Sequence, residues 1–273
     1  MLPVALQEKL AALRCTLAEL DSVAVGFSGG VDSSLLLYLA HEVLGERAVA
    51  FTVHSYLAPA RELHDADAFC AEHGINHRKL ELPDATLESI KNNPQNRCYL
   101  CKRVIFEKIA DEARALNLAA VAEGSNLDDE SDYRPGKQAL LELGVLSPLK
   151  EAGFTKLDIR TAAHALGLSV WDKPACACLA TRLPFDTPLE QNLLKRIDTA
   201  EEWLIKQGLT QVRVRVHGTV ARIECDEKGF LRLAERAFQK EVHEKLRSFG
   251  FEFVTLDLRG FASGSMNSMS KVL

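Results

Sequence analysis

Apolar residues in the first two thirds of the chain form short continuous runs, separated by segments with helical spacing. The β-prone runs "SVAVGF" and "AVAFTVHS" are each followed by an amphipathic stretch. The strand-like "NHRKLEL", a helix over 102–116, the strand-like "LAAVAEG" and a helix around "KLDIRTAAHALG" continue the alternation. Continuous apolar strands alternating with helices predict an α/β fold, in which helices cover both faces of a parallel sheet.

The pattern changes after "RLPFDTPLE". Residues 189–207 have helical spacing, "VRVRVH" and "VARIEC" alternate around a Gly-Thr turn, and a helix over 229–249 precedes the strand-like "FEFVTLDL". We therefore predict a first domain over 1–185, a small α+β domain over 186–260, and a disordered tail over 261–273. Residues 83–94 form a polar break that predicts a mobile loop.

Composition and hydropathy argue against several classes of partner. The chain has 273 residues, of which 47% are hydrophobic and 26% charged, and this describes a globular protein with enough core for two domains. Its net charge of −5 argues against a nucleic-acid partner. The chain has no apolar run long enough to cross a bilayer and no signal-peptide pattern at its N-terminus. We predict a cytoplasmic protein without membrane or nucleic-acid partners.

The run "SGGVDSS", at residues 28–34, directly follows the first predicted strand. Its two glycines let successive backbone N–H groups face one anion, and the following helix adds partial positive charge at its N-terminus. The run lacks the lysine of a Walker loop. A polar cap would explain an isolated Ser-Gly-Gly, whereas the whole run after a buried strand favours phosphate binding. The polar candidates are Ser28, Ser33 and Ser34 as hydroxyl donors and Asp32 as a metal or water ligand.

The chain has seven cysteines, and this odd number favours reduced thiols over a disulfide framework. Cys15, Cys70 and Cys225 stand alone in apolar or periodic segments, so we predict that they are core residues. The other four form the pairs Cys98/Cys101 and Cys176/Cys178. Spacing alone favours a zinc site over an iron–sulfur cluster, and a redox dithiol is a third interpretation of the first pair.

A basic strand is predicted at "VRVRVH", where Arg213 and Arg215 alternate with three valines. The period of two places the valines in the core and the arginines on the opposite face. A solvated face is the usual explanation of this pattern. Two guanidinium groups on one face can also clamp a phosphate.

Two motifs resemble those of the PP-loop ATP pyrophosphatases. "SGGVDSS" resembles their pyrophosphate-binding loop, and "EGSNLDDESDYRPG" resembles their later G-x-N-x-D/E segment. The resemblance implies cleavage of ATP between its α- and β-phosphates by an adenine nucleotide alpha hydrolase-like domain. It implies ATP binding by Ser28, Gly29, Gly30, Asp32, Ser33, Ser34 and Asn126, and Mg²⁺ binding by Asp128 and Glu130, with Glu123 and Asp129 as further candidates.

Five blocks in order resemble the LarE family of sulfur transferases, which build the nickel-pincer nucleotide cofactor of lactate racemase. They are "NRCYLCKRVIF", "GSNLDDESDYRPG", "LSPLKEAGFTKLDIR", "WDKPACACLATRLP" and "VRVRVHGTVARIE". The resemblance implies that ATP adenylates each carboxylate of pyridinium-3,5-biscarboxylic acid mononucleotide, and that sulfur then displaces AMP to give a thiocarboxylate. It also implies a homo-oligomer.

The sulfur donor is open between two routes known in this family. One uses a [4Fe–4S] cluster on three cysteines, which accepts an exogenous sulfide; the other sacrifices a cysteine. The resemblance favours a cluster on Cys98, Cys101 and Cys178, with Cys176 as a possible ligand and with sacrifice of Cys178 as the alternative. It also implies substrate-phosphate binding by Arg213, Arg215 and Arg182. Competing functions are an amide-forming ligase of the NAD synthetase type, a tRNA-thiolation enzyme and a zinc-stabilised nucleotide-binding module.

Overall fold

The structure is a computed structural model of the chain. It describes residues 2–131, 136–174 and 177–262, without the side chains of Glu130 and Ser131. The chain divides into two compact units. Unit 1 comprises Met1–Ser55, Glu62–Glu88 and Asn96–Ala175, and unit 2 comprises Tyr56–Arg61, Ser89–Gln95 and Cys176–Leu273. The domain boundaries at 185 and 260 stay predictions, and residues 263–273 of the predicted tail lie outside the described residues.

The regular elements are numbered in chain order. The strands are β1 (Val23–Gly26), β2 (Ala48–His54), β3 (Asn76–Glu81), β4 (Ala120–Ala122), β5 (Val212–His217), β6 (Val220–Cys225) and β7 (Phe253–Leu256). The α-helices are α1 (Val4–Ala18), α2 (Val31–Leu44), α3 (Ala60–Glu72), α4 (Arg97–Ala115), α5 (Gly136–Glu142), α6 (Pro148–Glu151), α7 (Lys156–Ala165), α8 (Gln191–Lys206), α9 (Glu227–Leu233) and α10 (Arg236–Ser248). Short 3₁₀ helices occupy Gly45–Arg47, Asp84–Ile90, Leu127–Ser131 and Leu179–Arg182.

Unit 1 contains a parallel sheet. Within the described residues its strand order is β3-β2-β1-β4, and Val23 of β1 lies opposite Ala48 of β2 and Ala120 of β4. Successive residues of β1 point to opposite faces, so Val23 and Val25 pack with α1, α2 and α7, whereas Ala24 packs with α4 and α5. The predicted α/β fold, with helices on both faces of a parallel sheet, is confirmed.

The loops that follow β1 and β4 leave the sheet at the same edge, because the two strands are parallel neighbours. In open parallel sheets, ligands bind in the crevice at this edge, beyond the carboxyl ends of the strands. The fold therefore places the two motifs identified in the sequence on adjacent loops.

Three local expectations for this part of the chain were wrong. Helix α4 begins at Arg97 rather than near residue 102, so Cys98 and Cys101 lie in its first turns and not in a preceding loop. Residues 84–90, expected to be a mobile loop, form a 3₁₀ helix in which Leu87 and Ile90 are buried. Cys15 is exposed, because it lies on the outer side of α1.

The two other isolated cysteines are core residues, as predicted. Cys70 and Cys225 are both buried. Burial raises the pKa of the Cys70 thiol to about 12 and that of Cys225 to about 11. Both thiols are therefore protonated and unreactive at neutral pH.

Unit 2 contains the second sheet, with strand order β5-β6-β7 in the described residues. Strands β5 and β6 are antiparallel, and β6 and β7 are parallel. Helix α8 packs against β5. The helix expected over 229–249 is divided into α9 and α10 by a break at Ala234 and Glu235. The predicted small α+β region at the C-terminal end is confirmed.

No helix in the described part of the chain is both long enough and apolar enough to cross a membrane.

Candidate active site

The anion loop, residues 28–34, connects β1 to the first turn of α2. Gly29 has φ +69°, a left-handed conformation that glycine adopts without steric cost. Ser33 Oγ donates a hydrogen bond to the Gly30 carbonyl at 3.1 Å, and it lies 3.1 Å from Ser28 Oγ. These bonds fold the loop back onto the N-terminus of α2, where backbone N–H groups and the helix dipole favour an anion.

Ser34 adds a feature typical of a ligand site. Its side chain is fully buried, and its Oγ has no hydrogen-bond partner among the described residues. Buried hydroxyl groups are nearly always hydrogen-bonded, because an unmet bond costs free energy. This hydroxyl therefore fits a loop that acquires a partner when phosphate binds.

Asp32 joins three segments of unit 1. Its Oδ2 lies 2.5 Å from Lys156 Nζ at the start of α7, and its Oδ1 accepts a hydrogen bond from Asn126 Nδ2 at 3.4 Å. The backbone N–H of Lys156 donates to Asp128 Oδ2 at 2.7 Å. The structure thus brings together Asp32, Asn126 and Asp128, which the sequence placed on two separate motifs.

Sequence reasoning missed Lys156. Thr155 is the N-cap of α7, and it forms a reciprocal capping box with Asp158 that fixes where the helix begins. This cap places Lys156 in the first helical turn, facing Asp32. The available signal was the T-K-L-D pattern, which predicts a capped helix start but not what its lysine contacts.

Gly124 permits close packing between the acidic segment, residues 123–129, and the anion loop. A Cβ built on Gly124 would lie 2.8 Å from the backbone nitrogen of Ser33 and 3.0 Å from the carbonyl carbon of Asp32. Both atoms belong to the backbone, so they could not move aside cheaply. Gly124 is therefore required for the acidic segment to pack closely against the anion loop.

Two acidic residues of this segment are occupied by structural hydrogen bonds. The Glu123 carboxylate accepts from Ser125 Oγ at 2.8 Å and Ser147 Oγ at 2.7 Å, and Lys102 Nζ lies 3.6 Å away. Asp129 Oδ2 accepts from the backbone N–H of Asn126 at 3.0 Å. Both carboxylates shape the turn that presents Asn126. Their role towards Mg²⁺ stays a prediction, and the side chain of Glu130 lies outside the described residues.

Cys98 and Cys101 lie three residues apart on α4, so their thiols share one helix face. Cys98 is exposed and Cys101 is half-buried. Tyr99 Oη donates to Glu142 at 2.7 Å and thereby anchors this turn to α5. Two accessible thiols on one face suit a soft metal or an iron–sulfur cluster. Across the described ranges, no group of three or more His, Cys, Asp or Glu residues is already arranged around a metal-sized position.

In unit 2, Cys178 is exposed at the start of the 3₁₀ helix Leu179–Arg182, and its Sγ accepts from the N–H of Ala180 at 3.4 Å. Arg182 Nη1 donates to the carbonyls of Ala177 at 2.8 Å and Cys178 at 3.3 Å. Arg182 therefore holds the turn that carries Cys178. Cys176 lies outside the described residues.

The guanidinium of Arg182 is fully buried and also forms two hydrogen bonds with Glu201, both of 2.8 Å. Burial is the largest single influence and by itself would raise the pKa of Glu201. The charge and hydrogen bonds of Arg182, the charge of Arg213 and the Val214 N–H together outweigh it, so the pKa falls below its ordinary value. Glu201 therefore stays ionised at neutral pH. Sequence reasoning missed this buried partner, because nothing in the pattern of α8 marks one glutamate as buried.

The basic strand β5 is not a solvated face. Arg213 and Arg215 are 5% and 4% exposed. Arg215 forms an ion pair with Glu224 at 3.1 Å and donates to the Thr181 carbonyl at 2.6 Å. Burial lowers the pKa of Arg215, although Glu224 opposes this effect. The substrate-phosphate role of Arg182, Arg213 and Arg215 stays a prediction.

Comparison of the sequence with known proteins shows the family of the chain. The NAD synthase family model matches residues 7–122. An uncharacterized protein of Synechocystis sp. is 40% identical over 96% of this chain and 98% of its own length. The pyridinium-3,5-bisthiocarboxylic acid mononucleotide synthase of Lactiplantibacillus plantarum is 39% identical over 96% of this chain and 95% of its own length. The chain belongs to the LarE family.

Membership of the LarE family confirms the resemblance found in the sequence, and with it the prediction that the chain is an enzyme of the ATP-using PP-loop type. A more distant relative is the glutamine-hydrolysing GMP synthase of Shewanella amazonensis, which is 28% identical over 82% of this chain but only 40% of its own length. The likeness to the LarE synthase extends over nearly the whole of both chains, and it therefore guides the functional proposal.

Proposed function

We propose that this LarE-family enzyme is an ATP-dependent sulfur transferase that converts the carboxylates of pyridinium-3,5-biscarboxylic acid mononucleotide to thiocarboxylates. The main support is the anion loop, whose Asp32 contacts Lys156 and Asn126. The L. plantarum relative is named as a synthase of the corresponding bisthiocarboxylic acid mononucleotide. The product would serve as a precursor of the nickel-pincer nucleotide cofactor.

The first step activates a carboxylate. A substrate carboxylate oxygen attacks the α-phosphorus of ATP, the bond to the β-phosphate oxygen breaks, and pyrophosphate leaves while an acyl adenylate remains. N–H groups of the anion loop bind the departing pyrophosphate, and Lys156 supplies positive charge next to Asp32. The oxygen ligands of Asp32, Asn126 and Asp128 suit Mg²⁺, which would neutralise charge on the phosphates.

The second step transfers sulfur. A sulfur nucleophile attacks the acyl carbon, the bond to the AMP oxygen breaks, and a thiocarboxylate and AMP are released. A [4Fe–4S] cluster on the thiolates of Cys98, Cys101 and Cys178 would supply an open iron position for an exogenous sulfide. The shared helix face of Cys98 and Cys101 and the exposure of Cys178 support these roles. Cys176 is a further possible ligand, and sacrifice of the Cys178 sulfur is the alternative route.

The cysteine assignment can be checked by anaerobic reconstitution. We expect wild-type protein to bind about four irons per chain and Cys98→Ser and Cys101→Ser to lose most of them, because a cluster needs thiolate ligands. Cys15→Ser is the matched control, since Cys15 is also an exposed thiol on a helix, and it should retain the iron. A colourless protein that holds zinc would contradict the cluster. A Cys178 peptide lighter by about 34 Da after turnover would instead support the sacrificial route.

The reaction itself is tested by an anaerobic assay with ATP, Mg²⁺ and the biscarboxylate mononucleotide, with and without sulfide. We expect AMP, pyrophosphate and a product in which oxygen is replaced by sulfur. If ammonia replaces sulfide in the same assay, an amide product would instead favour a ligase of the NAD synthetase type. Cytoplasmic location, homo-oligomeric assembly and the lack of a nucleic-acid partner stay predictions.

A further inference from the structure

Lys173 contacts the anion loop within unit 1, and its side chain is only 17% exposed. Its Nζ donates to the Gly29 carbonyl at 3.1 Å and to Asp65 Oδ2 at 2.7 Å, and it lies 3.1 Å from Glu62 Oε2. Glu62 and Asp65 both belong to α3. One ammonium group thus has three acceptors, which matches its three donors and fixes its position.

The contact with the Gly29 carbonyl controls the direction of a neighbouring N–H group. A trans peptide is planar, so its carbonyl and N–H point in opposite directions. When Lys173 holds the Gly29 carbonyl, the N–H of Gly30 must point away from Lys173. A rotated peptide would replace that N–H by a carbonyl oxygen, which repels phosphate.

The Gly29–Gly30 peptide needs this restraint more than others do. Neither residue has a Cβ, so rotation of the peptide between them meets little steric resistance. Helix α3 adds support from the same side as Lys173, because a Cβ on Gly29 would lie 3.3 Å from the Glu62 carbonyl oxygen. The backbone of α3 and the ammonium of Lys173 therefore support the same point of the loop.

We propose that Lys173 is a positioning residue, which holds the Gly29–Gly30 peptide so that the Gly30 N–H faces the bound pyrophosphate. This inference rests on the proposed function of the anion loop. Lys173 acts through the loop and contacts neither ATP nor the nucleotide substrate. Its positive charge also pairs with the carboxylates of Glu62 and Asp65.

Pyrophosphate and AMP binding, measured separately by titration calorimetry in the presence of Mg²⁺, test the proposal. Lys173→Met should weaken pyrophosphate binding by at least about tenfold, the effect of losing a charge-assisted contact. It should leave AMP binding nearly unchanged, because AMP lacks the phosphates that the loop holds. Lys173→Arg should recover part of the loss. Lys108→Met, which removes a helix-surface lysine paired with Glu112, should match the wild type for both ligands.

The double variant Asp65→Asn/Lys173→Met separates peptide orientation from charge, because it removes one positive and one negative group together. Our proposal expects the double variant to remain weak for pyrophosphate. Recovery to the wild-type affinity would show a purely electrostatic role and overturn the proposal. Wild-type pyrophosphate binding by Lys173→Met, or an equal loss of pyrophosphate and AMP, would also overturn it.

Two further outcomes also decide the proposal. If Lys173→Met does not fold, Asp65→Ala removes the nearest acceptor of Lys173 and should give a smaller loss, again confined to pyrophosphate; an unchanged affinity would overturn the proposal. If the wild-type protein binds no pyrophosphate, the function of the loop and the role of Lys173 are both overturned. If the wild-type protein binds pyrophosphate and Lys173→Met binds it equally well, only the role of Lys173 is overturned.

Discussion

Replacing Asp32 by alanine is expected to reduce the release of AMP and pyrophosphate by at least about 100-fold, the scale reported for losing one electrostatic group in a preorganised site. In the structure Asp32 holds Lys156 at 2.5 Å and Asn126 at 3.4 Å. Without the carboxylate, the ammonium and the amide lose their common partner beside the phosphates. A candidate oxygen ligand for Mg²⁺ is lost as well.

The same substitution should affect ATP binding much less than turnover. Removal of a negative charge next to the triphosphate reduces repulsion, and this offsets part of the lost metal affinity. We therefore expect a large fall in kcat with a change of only a few-fold in the ATP concentration at half-saturation. Asp32→Asn keeps an oxygen facing Lys156 but removes the charge, and it should be nearly as inactive as Asp32→Ala if the charge is what matters.

Pyrophosphate release in a coupled assay is the measurement for both variants. Asp111→Ala is the matched control, because Asp111 is an exposed aspartate of α4 that pairs only with its helix neighbour Arg114 among the contacts seen in the described residues. Its activity should equal that of the wild type. Undiminished ATP cleavage by Asp32→Ala would remove the assignment of the anion loop.

The parallel sheet could be predicted because it depends on local pattern. Continuous apolar runs identify buried strands, and neighbouring parallel strands bring their following loops to one edge. Asp32 and Asn126 are 94 positions apart in the chain, yet both follow predicted strands, and the structure joins them by a hydrogen bond.

Lys156 and Lys173 could not be found in this way. Lys156 meets Asp32 across 124 positions, and Lys173 meets Gly29 across 144. A lysine at a helix start, or in the loop before two cysteines, looks the same in sequence whether it faces solvent or a catalytic loop. Which of these occurs is decided by packing of whole elements, and single-sequence periodicity does not report it.

The basic strand shows a different reason for failure. The alternation in β5 predicts one apolar and one polar face, and exposure to solvent is the usual explanation of the polar one, but both faces are buried. On the polar face Arg215 pairs with Glu224 of β6, and the charge of Arg213 acts on Glu201 of α8 and helps to lower the pKa of that carboxyl. A period of two reveals that a strand has two faces, but it does not reveal whether the polar face meets water or paired carboxylates.

The prediction for the cysteine motif was wrong because it placed the start of the helix too late. Helix α4 begins five residues before the predicted start, at Arg97, and Asn96 provides no side-chain hydrogen bond as a cap. The helix instead begins with backbone bonds from Tyr99 and Leu100 to the Asn96 carbonyl. Asn96 is of a residue type common at helix N-caps, but the sequence prediction began the helix at residue 102 and left Cys98 and Cys101 before it.

Glu201→Gln is expected to cause the largest loss of stability in unit 2, roughly 3–5 kcal/mol, the typical cost of removing one partner from a buried ion pair. Glu201 is fully buried, accepts two hydrogen bonds from Arg182, and accepts a third from the backbone N–H of Val214 at 2.8 Å. The neutral amide keeps the shape of the side chain but removes the negative charge that pairs with the buried Arg182.

The pH dependence of this loss has a defined sign. The pKa of Glu201 in the folded protein lies below its ordinary value of 4.5, since the charge and hydrogen bonds of Arg182, the charge of Arg213 and the Val214 N–H together outweigh the effect of burial. A carboxylate with a lowered pKa contributes stability that is fully present above the unfolded pKa and is lost as pH falls through the folded pKa. The wild type should therefore lose stability below about pH 5. Glu201→Gln should lack this component and show a flatter acid response.

Urea unfolding, followed by the fluorescence of Trp203, measures this effect within unit 2. The chain has two tryptophans, so the measurement uses a Trp171→Phe background, a mild change because Trp171 is 40% exposed. Glu202→Gln is the matched control, since it removes only a surface pair with Lys206, worth at most about 1 kcal/mol. A Glu201→Gln midpoint equal to that of this control would contradict the buried pair.

Because the same guanidinium holds the Ala177 and Cys178 carbonyls, the substitution should also make the Cys178 thiol react faster with a thiol reagent under native conditions, whereas Glu202→Gln should leave that rate unchanged.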